Sequence, residues 1–406
     1  MSSTPNSTVT AAVRRWAEVA AAALLTLATG CGSDAPEADV CDQPTSLWTV
    51  RSDEGADERG TAVLPLGKGV AVGGVRLAAG SGEAFVQQFG VDGSTGTRAK
   101  LGESATGPLL LAHAGGVAAT YGGFTIVLLD ANLNETARLQ HGAQLGSGQA
   151  TVLGLAAGHG GLGLTGSLIV ESKGNKAQYV AFVATDGAGI RQHAETFAID
   201  ARSEARALLA DGEGWVLAGW REAVIADDGR QGLILALDDK GIERWRQVVG
   251  GPLDDELEAI VASGAGMLAA GTSRSGGAQG FGGADAWLLR LDAEGNTLWQ
   301  RFHGGESEDA AYGLIADGAQ FVLVGRRHST DLDPGGAWLA GLDAEGALRW
   351  QATLDGHWKA ELRAVALDGK RLLAAGSSQA VSDDGSSDLL LQRAADDGRL
   401  QCGATP

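Results

Sequence analysis

The sequence predicts an all-β fold, a seven-bladed β-propeller of four-stranded antiparallel blades, with eight blades as the alternative. Three observations carry this. A unit of about fifty residues recurs along the chain. Each copy reads as four short apolar runs separated by Gly and Asp turns, which is the size of a propeller blade. The two chain ends supply complementary parts of one unit, so the last blade closes with N- and C-terminal strands and leaves no open sheet edges.

The unit is clearest in three stretches that begin at Leu233, Trp287 and Trp338. Their shared skeleton is an apolar run, then L-D-x-x-G-x-x-x-W, an acidic loop, an apolar run, a glycine turn and a last apolar run ending in A-G or V-G. In the copy from Trp287 the strands are expected at 287–292, 297–302, 310–316 and 321–325. Weaker copies place the anchor residue at Asp92, at Asp130 (followed by a degenerate turn) and at Asp186, where His193 stands at the Trp position. The last copy has Ala395, Gly398 and Cys402 at the Asp, Gly and Trp positions. From Asp92 through Asp130, Asp186, Asp238, Asp292 and Asp343 to Ala395 the intervals are 38, 56, 52, 54, 51 and 52 residues. The half-unit from Ser46, with Trp48 and its following apolar runs, would complete the final blade. Trp48 and Cys402 align to the same strand position, and the sequence leaves open which one fills it. A β-solenoid needs shorter coils.

Composition agrees with this fold. The chain has 406 residues, 44% of them hydrophobic, with 63 glycines, which suits many tight turns around a large core. A disordered chain would be poor in apolar residues. The net charge of −19, with no basic stripe, argues against nucleic acid as a partner.

The first thirty residues read as an export signal. Arg14 and Arg15 precede a short apolar stretch, 19–28, that is too short to span a bilayer. Ala28-Thr29-Gly30-Cys31 resembles a bacterial lipobox, although the leucine stands four residues before the cysteine rather than three. That resemblance implies lipidation at Cys31, and Gly32 in the next position implies the outer membrane. Residues 31–45 then form the lipidated cysteine and a polar tether, and 46–406 the propeller. With Cys31 taken by lipid, Cys41 and Cys402 remain as a pair at opposite ends of the folded region, in an oxidising compartment where a disulfide persists.

The repeat residues read as structural. Asp238, Asp292 and Asp343 open turns in which Gly241, Gly295 and Gly346 adopt positive φ, and Trp245, Trp299 and Trp350 pack between neighbouring sheets. The skeleton at 287–309 resembles the repeats of secreted bacterial propellers, and its L-D-x-x-G-x-x-x-W part resembles the tryptophan-docking motif of quinoprotein-like propellers. The resemblance covers about 46–402 and specifies fold rather than activity. The pyrroloquinoline-quinone dehydrogenases of that group have eight blades and cofactor ligands that map to no residues of this chain, so no cofactor is expected. The plan of anchor, tether and docked blades is also similar to that of the lipoprotein propeller of the outer-membrane β-barrel assembly machinery.

No catalytic set stands out. Histidines at 113, 141, 159, 193, 303, 328 and 357 lack metal-ligand spacing. The acidic pairs Asp254-Asp255 and Glu308-Asp309 recur at equivalent loop positions and read as repeat structure. Weak calcium candidates are Asp331 with Asp333, and Asp383 and Asp384 with Asp388. The glycine-rich 276–283 stretch reads as a long interblade loop. The expected function is therefore non-catalytic, an envelope lipoprotein presenting a propeller surface to an unknown envelope protein or glycan. The alternative is an envelope hydrolase or lyase with its site in the central channel.

Overall fold

In the computed structural model of the chain, the described residues are 47–52, 56–78, 81–222, 229–276, 282–328, 335–354, 359–379 and 387–400. They fall within one compact unit, Val40–Pro406. Cys31, Cys41, Cys402, Asp331, Asp333, Asp383 and Asp384 lie outside them.

Among the described residues, twenty-eight strands form seven blades of four. Blades one to six cover residues 57–103, 109–140, 149–197, 202–249, 255–303 and 310–354. Blade seven joins residues 361–395 to a single N-terminal strand, Trp48–Ser52. Within each blade the strands run antiparallel in sequence order from the inside outward. In blade six they are Ala310–Asp317, Gln320–Arg327, Gly336–Leu342 and Leu348–Leu354. Blades three and four touch through one parallel pair, Gln178 opposite Arg202, so their eight strands are hydrogen-bonded as one sheet. The chain is a seven-bladed β-propeller.

The closing blade differs from expectation in its share of strands. The N-terminus contributes one strand to it, and the apolar runs after Trp48 open blade one instead. Trp48 lies opposite Arg393, as Trp350 lies opposite Gly341 and Trp299 opposite Arg290, so Trp48 fills the shared position. The sequence unit that begins at the third strand therefore straddles two blades. The 276–283 stretch joins the second and third strands of blade five, not two blades, because the strands on either side of it pair directly, Ser273 with Asp285.

Seven apolar clusters fill the molecule, and each lies between two neighbouring blades. The middle strands are covered on both faces, which is why they read as unbroken apolar runs such as Leu389–Leu391 rather than as an alternation. Contacts of the first inner strand with blade seven close the ring.

The turn that follows the third strand is the same in all seven blades. In blade five the Asp292 amide bonds the Asn296 carbonyl, the Gly295 amide bonds the Asp292 carbonyl, and the Asp292 carboxylate accepts the Asn296 amide. The Asn296 side chain adds a bond that holds the Asp292 pKa below its ordinary value. Ala395 makes the same backbone turn with no carboxylate. In blade one Gly90, not Asp92, takes the anchor position, two residues earlier than the sequence alignment suggested. The stretch after Asp130, degenerate in sequence, forms the same turn with Leu133 at φ 64° in place of glycine.

Those glycines have a second duty. A Cβ on Gly295 would lie 2.5 Å from the Trp245 ring of the preceding blade; on Gly346, 2.5 Å from Trp299; on Gly398, 2.4 Å from Trp350; on Gly93, 3.2 Å from Trp48. Each ring lies against the bare Cα of the next blade's turn. At Gly241 the neighbours are Phe182 and Glu195, and at Gly189 Leu139. His193 lies opposite Ala184 in the tryptophan register.

Gly295→Ala places a methyl group both in left-handed backbone (φ 84°) and inside the Trp245 contact. It is expected to cost about 2–5 kcal/mol. Gly318→Ala, at φ 60° with nothing within 4 Å, should cost about 1–2 kcal/mol. Urea denaturation midpoints of the two variants separate docking from backbone strain.

Candidate functional site

An inner strand that pairs regularly alternates its side chains between the two faces of its blade. Turning one toward the axis takes an irregularity. Among the described residues, six of the seven inner strands carry a one-residue register shift against their second strand, at the same level. The residues skipped are Thr61, Leu153, Arg206, Glu258, Tyr312 and Arg363. All six line a central cavity of about 910 Å³. Such bulges re-aim side chains, and here they do so around a ring.

The wall is unequal. Blades one to three present Thr61, Leu109, Thr151, Leu153 and Ile169 with one charged residue, Arg59; blades four to seven present Glu204, Arg206, Glu256, Glu258, Tyr312 and Arg363. Arg206 is the centre of the charged arc. Its Nε bonds Glu204 at 2.8 Å, and one terminal nitrogen reaches Glu256 at 2.6 Å and Glu258 more closely still. Burial opposes the Arg206 charge, yet the three glutamates together hold its pKa above the ordinary value. Glu204 is further tied to Gln178 (2.8 Å), Ser167 (3.2 Å) and the Trp220 indole (3.3 Å), and Arg230 bonds Glu256. Two arginines thus meet the three carboxylates. Burial pushes the Glu258 pKa up, against the pull of Arg206 and Arg363. Beside it the Arg363 guanidinium lies 4.2 Å from the centre of the Tyr312 ring and bonds Glu361 at 2.7 Å. Burial raises the Tyr312 pKa, so its hydroxyl stays neutral.

At the mouth stand Asp254, Arg274, Glu308 and Asp309. Arg274 and Glu308 form a bidentate pair at 2.8 and 2.5 Å. Asp309 is wholly buried; its oxygens accept the amides of Gly305 (2.7 Å) and His328 (3.0 Å). Burial outweighs those bonds and pushes its pKa up to about 6. Asp255 makes equivalent bonds to Gly251 and Ser275 one blade earlier. These carboxylates brace loops.

The motif residues Asp238, Gly241, Trp245, Asp292, Gly295, Trp299, Asp343, Gly346 and Trp350 sit at the turns and blade seams, away from the cavity lining. Asp388 is buried at the start of the last strand, in register with Ser378. No cluster of three or more metal-ligating side chains occurs among the described residues. Three histidines serve the seams: His141 donates to the Gly189 carbonyl (3.1 Å), His159 to that of Gly214 (2.7 Å) and His303 to that of Gly346 (2.9 Å). Burial lowers the pKa of His141 and of His303. Sequence reasoning missed the channel residues, although one signal was present. In 203–207 the reading S-E-A-R-A places two charged residues within an apolar strand.

No protein-family model matches the sequence, and no curated protein matches it. Among solved structures, the WD40 propeller domain of Doa1 is 13% identical, with 84% of this chain and 93% of that one covered and a TM-score of 0.50. BamB from Moraxella catarrhalis is 13% identical over 82% and 84% at a TM-score of 0.40. BBS1N in complex with ARL6DN is 10% identical over 83% and 92% at 0.44. The likeness is one of fold. It rests on the Doa1 domain, and identities this low assign no activity.

The folded pKa of Asp309 lies above its ordinary value of 3.8, so protonation favours the folded state. That stabilisation is full below the ordinary value and is lost as pH rises through about 6. Stability of the native protein relative to Asp309→Asn should therefore fall by up to about 3 kcal/mol between about pH 4 and about pH 7, read from urea midpoints.

Proposed function

We propose that this chain is a non-catalytic binding module of the bacterial cell envelope, anchored in the outer membrane by lipid on Cys31. It presents one face of the propeller to a protein or glycan. The observation that carries this reading is a convergence within one half of the ring. The long connections between second and third strands, residues 223–229, 274–284, 328–335 and 380–386, all belong to blades four to seven. Their counterparts in blades one to three span two or three residues. The same four blades supply most of the charged residues of the channel, whose lining includes Arg274 and Ala284 at the two ends of one of these connections. A rigid scaffold that carries long connections is how propellers and other scaffolds present binding surfaces. The surface charge speaks against nucleic acid as the partner.

A second reading, an envelope hydrolase or lyase acting in the channel, is favoured by one observation. Glu258 and Asp309 both line the cavity with raised pKa values, as general acids do. Against it, both Asp309 oxygens are occupied by backbone amides, and Glu258 is bonded to Arg206.

The pairing of Trp48 with Arg393 also supports a Cys41–Cys402 bridge, because the segments that carry the two cysteines leave the closing sheet at the same end. Non-reducing peptide mapping of the exported protein should recover the two joined.

Cys31→Ser should move the protein from the membrane to the soluble envelope fraction. Crosslinking of intact envelopes should yield a discrete adduct with the native chain, lost when residues 274–284 are replaced by a short Gly-Ser turn. An adduct unchanged by that replacement, or turnover of an envelope substrate abolished by Glu258→Gln, would favour the other reading.

A further inference from the structure

Charge is sorted around the channel in a way the partner-binding face does not explain. Four glutamates of the cavity wall are met by arginines: Glu204, Glu256 and Glu258 by Arg206, Glu256 again by Arg230, and Glu308 by Arg274. Two arginines of the wall, one from blade six and one from blade one, are not matched in return. Arg326 and Arg59 line the cavity with no carboxylate bonded to either among the described residues. The Arg326 Nε is buried with no hydrogen-bond partner. Arg363 uses its Nε on Glu361, which leaves its terminal nitrogens to the channel. The Tyr312 hydroxyl, neutral and facing the same cavity, adds a donor. The chain holds 50 acidic residues against 31 lysines and arginines, so unmatched arginines are not a by-product of composition. A guanidinium cannot shed its proton, and a buried N–H with no acceptor is costly, so this arc is built to receive an acceptor from outside the chain.

We propose that the central channel binds a small organic carboxylate. Its two oxygens take the guanidinium donors of Arg326, Arg363 and Arg59. Its body lies toward Thr61, Leu109, Leu153 and Ile169 across the channel. Guanidinium and carboxylate match as paired donors and acceptors. The apolar wall provides for a carbon body, which a bare inorganic anion lacks. Glu256 on the neighbouring arc makes a doubly charged phosphate costlier than a singly charged carboxylate. The cavity volume of about 910 Å³ is within the range of small-ligand sites.

The test is titration calorimetry of the full chain with hexanoate and, separately, with inorganic phosphate. The expected result is saturable one-to-one binding of hexanoate and weaker binding of phosphate. Arg326→Met and Arg59→Met should each weaken hexanoate about tenfold or more. Arg246→Met, on an outer strand, should leave binding unchanged. Arg59 is exposed to the channel, so its variant keeps the test valid if Arg326→Met fails to fold. The proposal is overturned by the absence of saturable hexanoate binding at millimolar concentration. It is equally overturned by phosphate binding as tight as hexanoate, or by an Arg59→Met variant that binds like the native chain. None of these outcomes bears on whether the loop face holds an envelope partner.

Discussion

A flat side chain on the outer strand of one blade rests on the bare Cα of a left-handed residue in the next blade's turn, and the ring depends on that contact. It joins two requirements at one position. The turn needs positive φ, which glycine adopts at no steric cost, and the approaching ring needs the space a Cβ would fill. Trp245, Trp299, Trp350 and Trp48 make the contact on Gly295, Gly346, Gly398 and Gly93. The last of these also seals the ring, because Trp48 belongs to the closing blade and Gly93 to the first. At one seam without a tryptophan the turn residue changes as well. Blade one has Thr97 at the tryptophan position, and the facing turn of blade two carries Leu133, buried and packed with Leu101 and Val127, in place of glycine. Leucine at φ 64° is strained, and its burial offsets that strain.

With the apolar material committed to the seams between blades, the axis of the ring is left for polar chemistry. Each of the seven clusters belongs to one pair of blades, and the inner strands face the channel with whatever the bulges present. The Arg206 cluster shows the cost of this arrangement. Three glutamates crowd Arg206 in a confined space; Arg230 meets one of them, and burial raises the pKa of Glu258. The loop carboxylates Asp255 and Asp309 follow a different rule: each is buried where backbone amides of its own loop converge on it.

Much of the architecture could be read in the residues because a propeller repeats. The interval between anchors and the L-D-x-x-G-x-x-x-W element give strand number, turn type and ring closure, since the same local physics is printed several times. Errors arose where a copy lost its side-chain markers but kept its backbone. Gly90 holds the anchor turn by main-chain bonds, and the carboxylate that accepts the Ser94 amide belongs to Asp92, two residues on, which drew the alignment to itself. The turn after Asp130 looked degenerate because Leu133 does there what glycine does elsewhere. The phase of the blade was misjudged as well. Sequence similarity is strongest across the seam that tryptophan docking joins, and that seam lies between blades rather than within one.

The sequence by itself determined the elements, their number and the residues that lock one blade to the next, because these depend on contacts between neighbours in a repeating chain. It could not determine the channel. Arg206, Glu258, Tyr312 and Arg363 are some fifty residues apart in sequence, and no local pattern relates them. The tertiary structure brings them together, because closing seven blades into a ring turns one bulged position per inner strand toward a common axis. Their charges, burial and proton affinities exist only once that ring has closed.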